Sequence, residues 1–140
     1  MNIVVDASVA AKWLFDEEHT SRARSLLRVW DADMWAPDLL WAELASVVWK
    51  RHRRAEIDEA TALSSMAEIR LWPIRLVSNA ELAADALGWS LVLRHPPYDC
   101  IYLALAQRLG ARLVTADAKF RSVLAASAAA DRLLWIEELQ

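Results

Sequence analysis

Four acidic side chains, Asp6, Glu43, Asp99 and Asp117, fall at positions from which a folded chain could aim them at one point. Asp6 follows directly on the apolar, β-branched run Ile3-Val4-Val5, and Asp117 lies just past Arg112-Leu113-Val114-Thr115. If both runs are strands of one parallel sheet, both acids stand at its carboxyl edge, where open sheets of this kind bind ligands. Asp99 comes right after Pro96-Pro97-Tyr98 and opens a helical pattern, in the first turn that the helix dipole makes favourable for a carboxylate. Glu43 shares a helical stripe with Leu40 and Val47, so a charge is carried on an apolar face turned toward the sheet. A buried carboxylate without a partner is costly, and no basic residue is read onto the stripes that carry the four.

Taken singly, each acid has a plainer role. Asp6 and Asp99 could cap helices, Asp117 could be a turn residue and Glu43 half of a buried ion pair. Their joint placement favours a metal site, and Glu43 is the hardest to explain without one. An all-oxygen, carboxylate-rich set suits Mg²⁺ or Mn²⁺ over zinc. One or two such ions clamp a phosphodiester, activate a bound water and stabilise the leaving oxygen. Without the cation the like charges repel, so activity is expected to depend on it.

The elements that must position these acids follow from hydrophobic period and punctuation. After the first strand, helices are expected to Phe15, with Asp6 or Ser8 as N-cap, and from Thr20 to Val29. Trp35-Ala36-Pro37 reads as a strand end, and a helix then runs from Asp38 toward Arg53. Another spans Ile57 to Leu71 and stops at Pro73. Ile74–Val77 is a strand, and Ser78-Asn79 caps a helix from Ala80 to Leu93. Tyr98 to Leu109 is helical and ends at Gly110. Arg112–Thr115 is a strand, Asp117 to Ala126 a helix and Leu133–Ile136 the last strand. Short apolar strands alternating with helices imply an α/β fold with three layers and a mainly parallel sheet of about five strands.

The chain has 140 residues, which fits one domain spanning its whole length. Its net charge of −3 argues against holding nucleic acid by a basic surface alone. It leaves room for a nuclease whose metal supplies the positive charge. Cys100 is the only cysteine, so neither an internal disulfide nor a cysteine-based zinc site can form, and a reducing cytoplasm is the expected setting. Neither a leader peptide nor a membrane-spanning run is read in the sequence.

At the acidic positions the sequence resembles the PIN-domain nucleases, and within them the VapC toxins of toxin–antitoxin pairs. The resemblance is carried by Val5-Asp6-Ala7-Ser8-Val9-Ala10-Ala11-Lys12-Trp13 and Pro37-Asp38-Leu39-Leu40-Trp41-Ala42-Glu43. Tyr98-Asp99-Cys100-Ile101-Tyr102-Leu103-Ala104-Leu105-Ala106 and Leu113-Val114-Thr115-Ala116-Asp117 complete it in the same order. It implies that Asp6, Glu43, Asp99 and Asp117 are an acidic quartet holding Mg²⁺ or Mn²⁺, with Ser8 and Thr115 as hydroxyl positions beside the metal. It further implies cleavage of RNA, tRNA or ribosomal RNA above all, a homodimer, and a small antitoxin partner that blocks the site.

Other features carry weaker signals. Lys50-Arg51-His52-Arg53-Arg54 complements a helix C-terminus, and Arg51, Arg53 and Arg54 are also candidates for contact with RNA phosphates or a partner. His19, His52 and His95 lack metal-ligand spacing and are read as solvated or structural. Cys100 is read as a small core residue. Trp13, Trp41 and Trp49, three of eight tryptophans, are read as core, with an antitoxin groove as the alternative use. Rival functions are a housekeeping RNA-processing nuclease of the same family and a non-catalytic Rossmann-like binding module. The module is disfavoured because no glycine-rich loop follows the first strand. A phosphoacceptor receiver would need a lysine after a late strand, whereas Lys119 falls inside the Asp117 helix.

Overall fold

A computed structural model describes residues 1–28 and 31–139. Its centre is strand β1 (Asn2–Val5), in which Ile3, Val4 and Val5 are all buried. Successive side chains of a strand point to opposite faces, so three buried in a row require helices on both sides of the sheet. Five parallel strands form that sheet, in the order β3-β2-β1-β4-β5. The others are β2 (Asp33–Pro37), β3 (Ile74–Val77), β4 (Arg112–Thr115) and β5 (Leu133–Trp135). The expected three-layer α/β architecture is therefore the one observed.

Among the described residues seven α-helices connect and cover the strands: α1 (Ala7–Leu14), α2 (Thr20–Arg28), α3 (Leu39–Arg53), α4 (Glu59–Ile69), α5 (Asn79–Leu93), α6 (Pro97–Leu109) and α7 (Ala118–Ala125). Expected boundaries differ from these by one or two residues, and the expected helix end at Val29 lies outside the described residues. Helix α6 packs on β1, β2 and β4 and is covered by α5. Its Tyr102 through Ala106 are all buried, and Gly110 ends it in the left-handed conformation at φ 61°. Helices α1 and α3 pack against each other. The starts of α3 and α5 are tied reciprocally: Leu39 N–H donates to Asn79 Oδ1 at 3.1 Å and Asn79 N–H to Asp38 Oδ1 at 3.0 Å. Asp38 therefore caps across to α5 and makes no side-chain cap on its own helix.

The strand order reverses between β1 and β4, with Val4 beside Leu113 and Val5 beside Val114. Chains leaving these two strands diverge to opposite sides and open a crevice at the carboxyl edge. Asp6 sits at that point, its N–H still donating to Val114 O at 3.3 Å.

Candidate active site

Asp6 directly follows β1 and caps α1, so one residue serves two purposes. Its Oδ1 accepts from Val9 N–H at 3.2 Å and from the Ser8 hydroxyl at 2.5 Å. Ser8 Oγ in turn accepts from Ala116 N–H at 2.9 Å and lies 3.4 Å from Thr115 Oγ1. Both expected hydroxyl positions thus join the ends of β1 and β4. Asp6 is only 6% exposed. Burial lifts its pKa from 3.8 to about 7, opposed by the hydrogen bonds from Ser8, Thr115 and Val9 and assisted by the charge of Asp99.

Glu43 projects from α3 toward α6, where the Tyr102 hydroxyl donates to its Oε1 at 2.5 Å. Desolvation raises its pKa and the charge of Asp99 adds to that, while the bond from Tyr102 works the other way. Tyr102 itself is held far above its ordinary range by burial and by the charges of Glu43, Asp6 and Asp99. It therefore stays a neutral donor. Of the expected acids, Glu43 touches this phenol, and the charges of Asp6 and Asp99 act on it from nearby.

Asp99, in the first turn of α6, meets His95 Nε2 through Oδ2 at 2.6 Å. The imidazole is buried and stacks on Phe120 of α7, ring centroids 5.1 Å apart and planes 18° off parallel. Of the two expected roles for His95, solvated or structural, the structural one is observed: it is buried and bonded to an acid of the cluster, at the i, i+4 spacing visible in the sequence. Arg94, left-handed at φ 54°, turns the chain so that the spacing works across Pro96-Pro97.

Asp117 stands apart. It is exposed, and its Oδ1 accepts from Lys119 and Phe120 N–H at 2.9 and 3.2 Å as the N-cap of α7. Its link to the others runs through its N–H, which donates to Thr115 Oγ1 at 3.1 Å. Among the described residues, no three of the histidine, cysteine, aspartate and glutamate side chains are close enough to grip an ion together. Each acid of the cluster has instead taken a protein donor: Ser8, Tyr102 or His95. The donor set nevertheless suits a hard cation, because it is made of carboxylates and, among the described residues, none of the three pairs with a lysine or arginine.

The stripe of Glu43 carries a base after all. Lys50 lines the same groove as Glu43, Ser46 and Val47 of α3 and as Ser8 and Lys12 of α1. Lys50 lies two turns from Glu43 on the same face, a spacing visible in the sequence; Lys12 joins only through the packing of α1 on α3. Of the expected basic contacts, Arg51 pairs with Glu17 and Glu56 and lies over the Phe15 ring at 4.3 Å. Arg53 lies over Trp49 at 4.8 Å, and Arg54 is the C-cap of α3. Trp13 is core, its N–H bonded to Ala23 O, whereas Trp49 is 55% exposed, against expectation. Cys100 is buried, as expected.

The family model described as PIN domain matches residues 3–125. The protein named Ribonuclease VapC3, from Pyrobaculum aerophilum, is 33% identical over 123 residues, spanning 84% of this chain and 90% of that one. Among solved structures, a toxin–antitoxin complex from Klebsiella pneumoniae aligns at TM-score 0.63 and 18% identity, covering 98% of this chain and 99% of that one. Mycobacterium tuberculosis VapC20, described as a sarcin–ricin-loop-cleaving toxin, aligns at TM-score 0.64 and 21% identity over 86% and 93% of the two chains.

Proposed function

The chain belongs to the PIN-domain family, with a VapC ribonuclease as relative, and from that premise we propose that it is a metal-dependent endoribonuclease acting as the toxin of a toxin–antitoxin pair. The observation that carries the reading is Asp6 at the switch point of the sheet, with Glu43 bonded to Tyr102 and Asp99 near enough for its charge to act on Asp6, Glu43 and Tyr102.

Asp6, Glu43 and Asp99 would hold Mg²⁺ or Mn²⁺, with Asp117 at the rim, and the ion would supply an activated water and offset the charge of a phosphodiester. Ser8 fixes the rotamer of Asp6 through the β4 backbone, His95 fixes Asp99, and Tyr102 fixes Glu43. Ligands oriented in this way lose little freedom on binding, which is how supporting hydrogen bonds raise affinity for a metal. The acids repel an RNA phosphate as long as their charge is not compensated, so cleavage and metal binding are linked.

RNA as substrate and an antitoxin as partner are supported by the names of the ribonuclease relative and of the toxin–antitoxin complex with the same fold. A homodimer fits the apolar side chains that α5 exposes, Leu87, Leu91 and Val92. Among the described residues no helix is long and apolar enough to cross a membrane, and the cytoplasm, where RNA is found, is the proposed location.

The test is cleavage of labelled single-stranded RNA by purified protein. Activity with Mg²⁺ or Mn²⁺, lost in Asp6→Asn and Asp99→Asn with the fold intact, is the expected result; full activity in excess EDTA would overturn the metal mechanism. Expression should arrest growth, and co-expression of a cognate antitoxin should relieve the arrest.

A further inference from the structure

A groove of about 420 Å³ leaves the acid cluster between α1 and α3. Ser8 and Lys12, one turn apart on α1, form one wall together with Glu17, and Glu43, Ser46, Val47 and Lys50 form the other. The α3 residues are spaced i, i+3, i+4 and i+7, so they share one face. Glu43 and Lys50 are two turns apart, about 10 Å along the helix. The groove therefore has the carboxylate of Glu43 at the end that meets the cluster and two lysines along its length, one of which, Lys12, is paired with a second lining carboxylate, Glu17.

Lys12 is unusual for a lysine in being nearly buried, with a side chain 11% exposed. Its ammonium is held by Glu17 Oε1 at 3.3 Å. The other oxygen of Glu17 is engaged by Arg51, which also takes Glu56 and packs on Phe15. Glu17 is thus a fixed post: Arg51 braces it from behind, and it fixes Lys12 at the groove. Lys50, in contrast, is exposed and makes no ion pair among the described residues.

We propose that Lys12 and Lys50, with the hydroxyl of Ser46, form a phosphate subsite that holds the RNA backbone next to the phosphodiester at the acids, and that Glu17 positions Lys12 for it. The inference rests on the ribonuclease reading. A strand with one phosphate at the cluster must continue somewhere, and this groove begins at Glu43. A protein with net charge −3 needs local cations to hold it there. The arginines that follow Lys50 are less suited. Arg51 is consumed in bracing Glu17, while Arg53 is stacked on Trp49.

The experiment measures cleavage of a labelled single-stranded RNA by the full chain with Mg²⁺, and binding of the same RNA by the Asp99→Asn protein across a salt series. Lys12→Gln and Lys50→Gln are each expected to raise KM on the order of five-fold with kcat within about two-fold. Each should also lower the slope of log affinity against log salt by about 0.7 in the Asp99→Asn background. Arg75→Gln, at the β3 edge, should leave both unchanged. Lys12→Arg should restore the slope, which separates a lost charge from a disturbed core, and the exposed Lys50 tests the idea without risk to folding. If wild-type protein cleaves RNA while both glutamine variants keep its KM and salt slope, the subsite is overturned and the nuclease stands. If those variants keep RNA affinity but lose binding to the antitoxin, the groove belongs to the protein partner and the subsite is likewise overturned. Wild-type protein that neither cleaves nor binds RNA overturns the nuclease reading, and the subsite with it.

Discussion

The hydroxyl of Tyr102 and the carboxylate of Glu43 meet at 2.5 Å, and this bond joins α6 to α3 across the candidate site. It answers how a glutamate can lie against an apolar core: its buried oxygen is served by a donor that burial and three neighbouring acids keep protonated. Tyr102→Phe leaves that oxygen unserved. Hydrogen bonds to charged groups contribute about 1.5–3 kcal/mol, and with Glu43 partly accessible a loss of about 1–2 kcal/mol is expected in urea unfolding. The already raised pKa of Glu43 should rise further, moving the acidic limb of the pH–rate profile to higher pH.

Asp6 gives the fold a pH dependence of definite sign. Its pKa is raised from 3.8 to about 7, so the folded state prefers the protonated form. The contribution is fully favourable below about pH 4 and is lost as pH rises toward and through 7. Ionising Asp6 in its pocket costs on the order of 4 kcal/mol at most. In metal-free protein, Asp6→Asn is therefore expected to raise Tm at pH 8 and to change it little at pH 4. A Tm gain independent of pH would show that the buried charge is not the cause.

Divalent cations should act in the same window. Mg²⁺ or Mn²⁺ added at pH 8 stabilises by mass action on the folded state, so Tm should climb with cation concentration. The climb should be largely absent in Asp6→Asn and Asp99→Asn. Thermal scans with and without EDTA make the comparison.

His95 can be tested separately from the acids. It touches Asp99 and Phe120, and replacing a residue that orients a ligand in this way typically costs 10–100-fold in metal affinity or activity. His95→Ala is expected to lose activity in that range, with much of it recovered at saturating Mn²⁺. Loss that no metal concentration restores would mean that the imidazole does more than hold Asp99.

Asp117 should behave as a cap first. Asp117→Ala removes the acceptor for two N–H groups of α7 and is expected to cost about 0.5–2 kcal/mol, whereas Asp117→Asn, also a good cap, should cost far less. Asp117→Asn should reduce cleavage less than Asp99→Asn. Equal loss in the two variants would return Asp117 to the centre of the site.

The sheet edge was legible in the sequence because β1 and β4 are buried on both faces and read as unbroken apolar runs, each followed by an acid. Ser8 and Thr115 were legible only through the family resemblance. What a one-dimensional pattern did not convey was which contact each group prefers once folded. Asp117 could be read as turn residue or as ligand, and its side chain is spent on α7. His95 lay outside the helical pattern because two prolines intervene, and only the left-handed turn at Arg94 brings it back to Asp99. Lys50 stands at helical spacing from Glu43, but it also belongs to the basic run Lys50-Arg51-His52-Arg53-Arg54, which masks that relation in the sequence.

The bond network that joins Ser8 to Thr115 spans 107 positions of the chain. Strands β1 and β4 are neighbours in space while most of the domain lies between them in sequence, so their pairing is non-local and needs both to have been made. During synthesis, Asp6 leaves the ribosome long before α6 and β4 exist to complete its surroundings. A nascent chain therefore carries no assembled cluster of acids. The acids are brought together only once nearly the whole domain has been made.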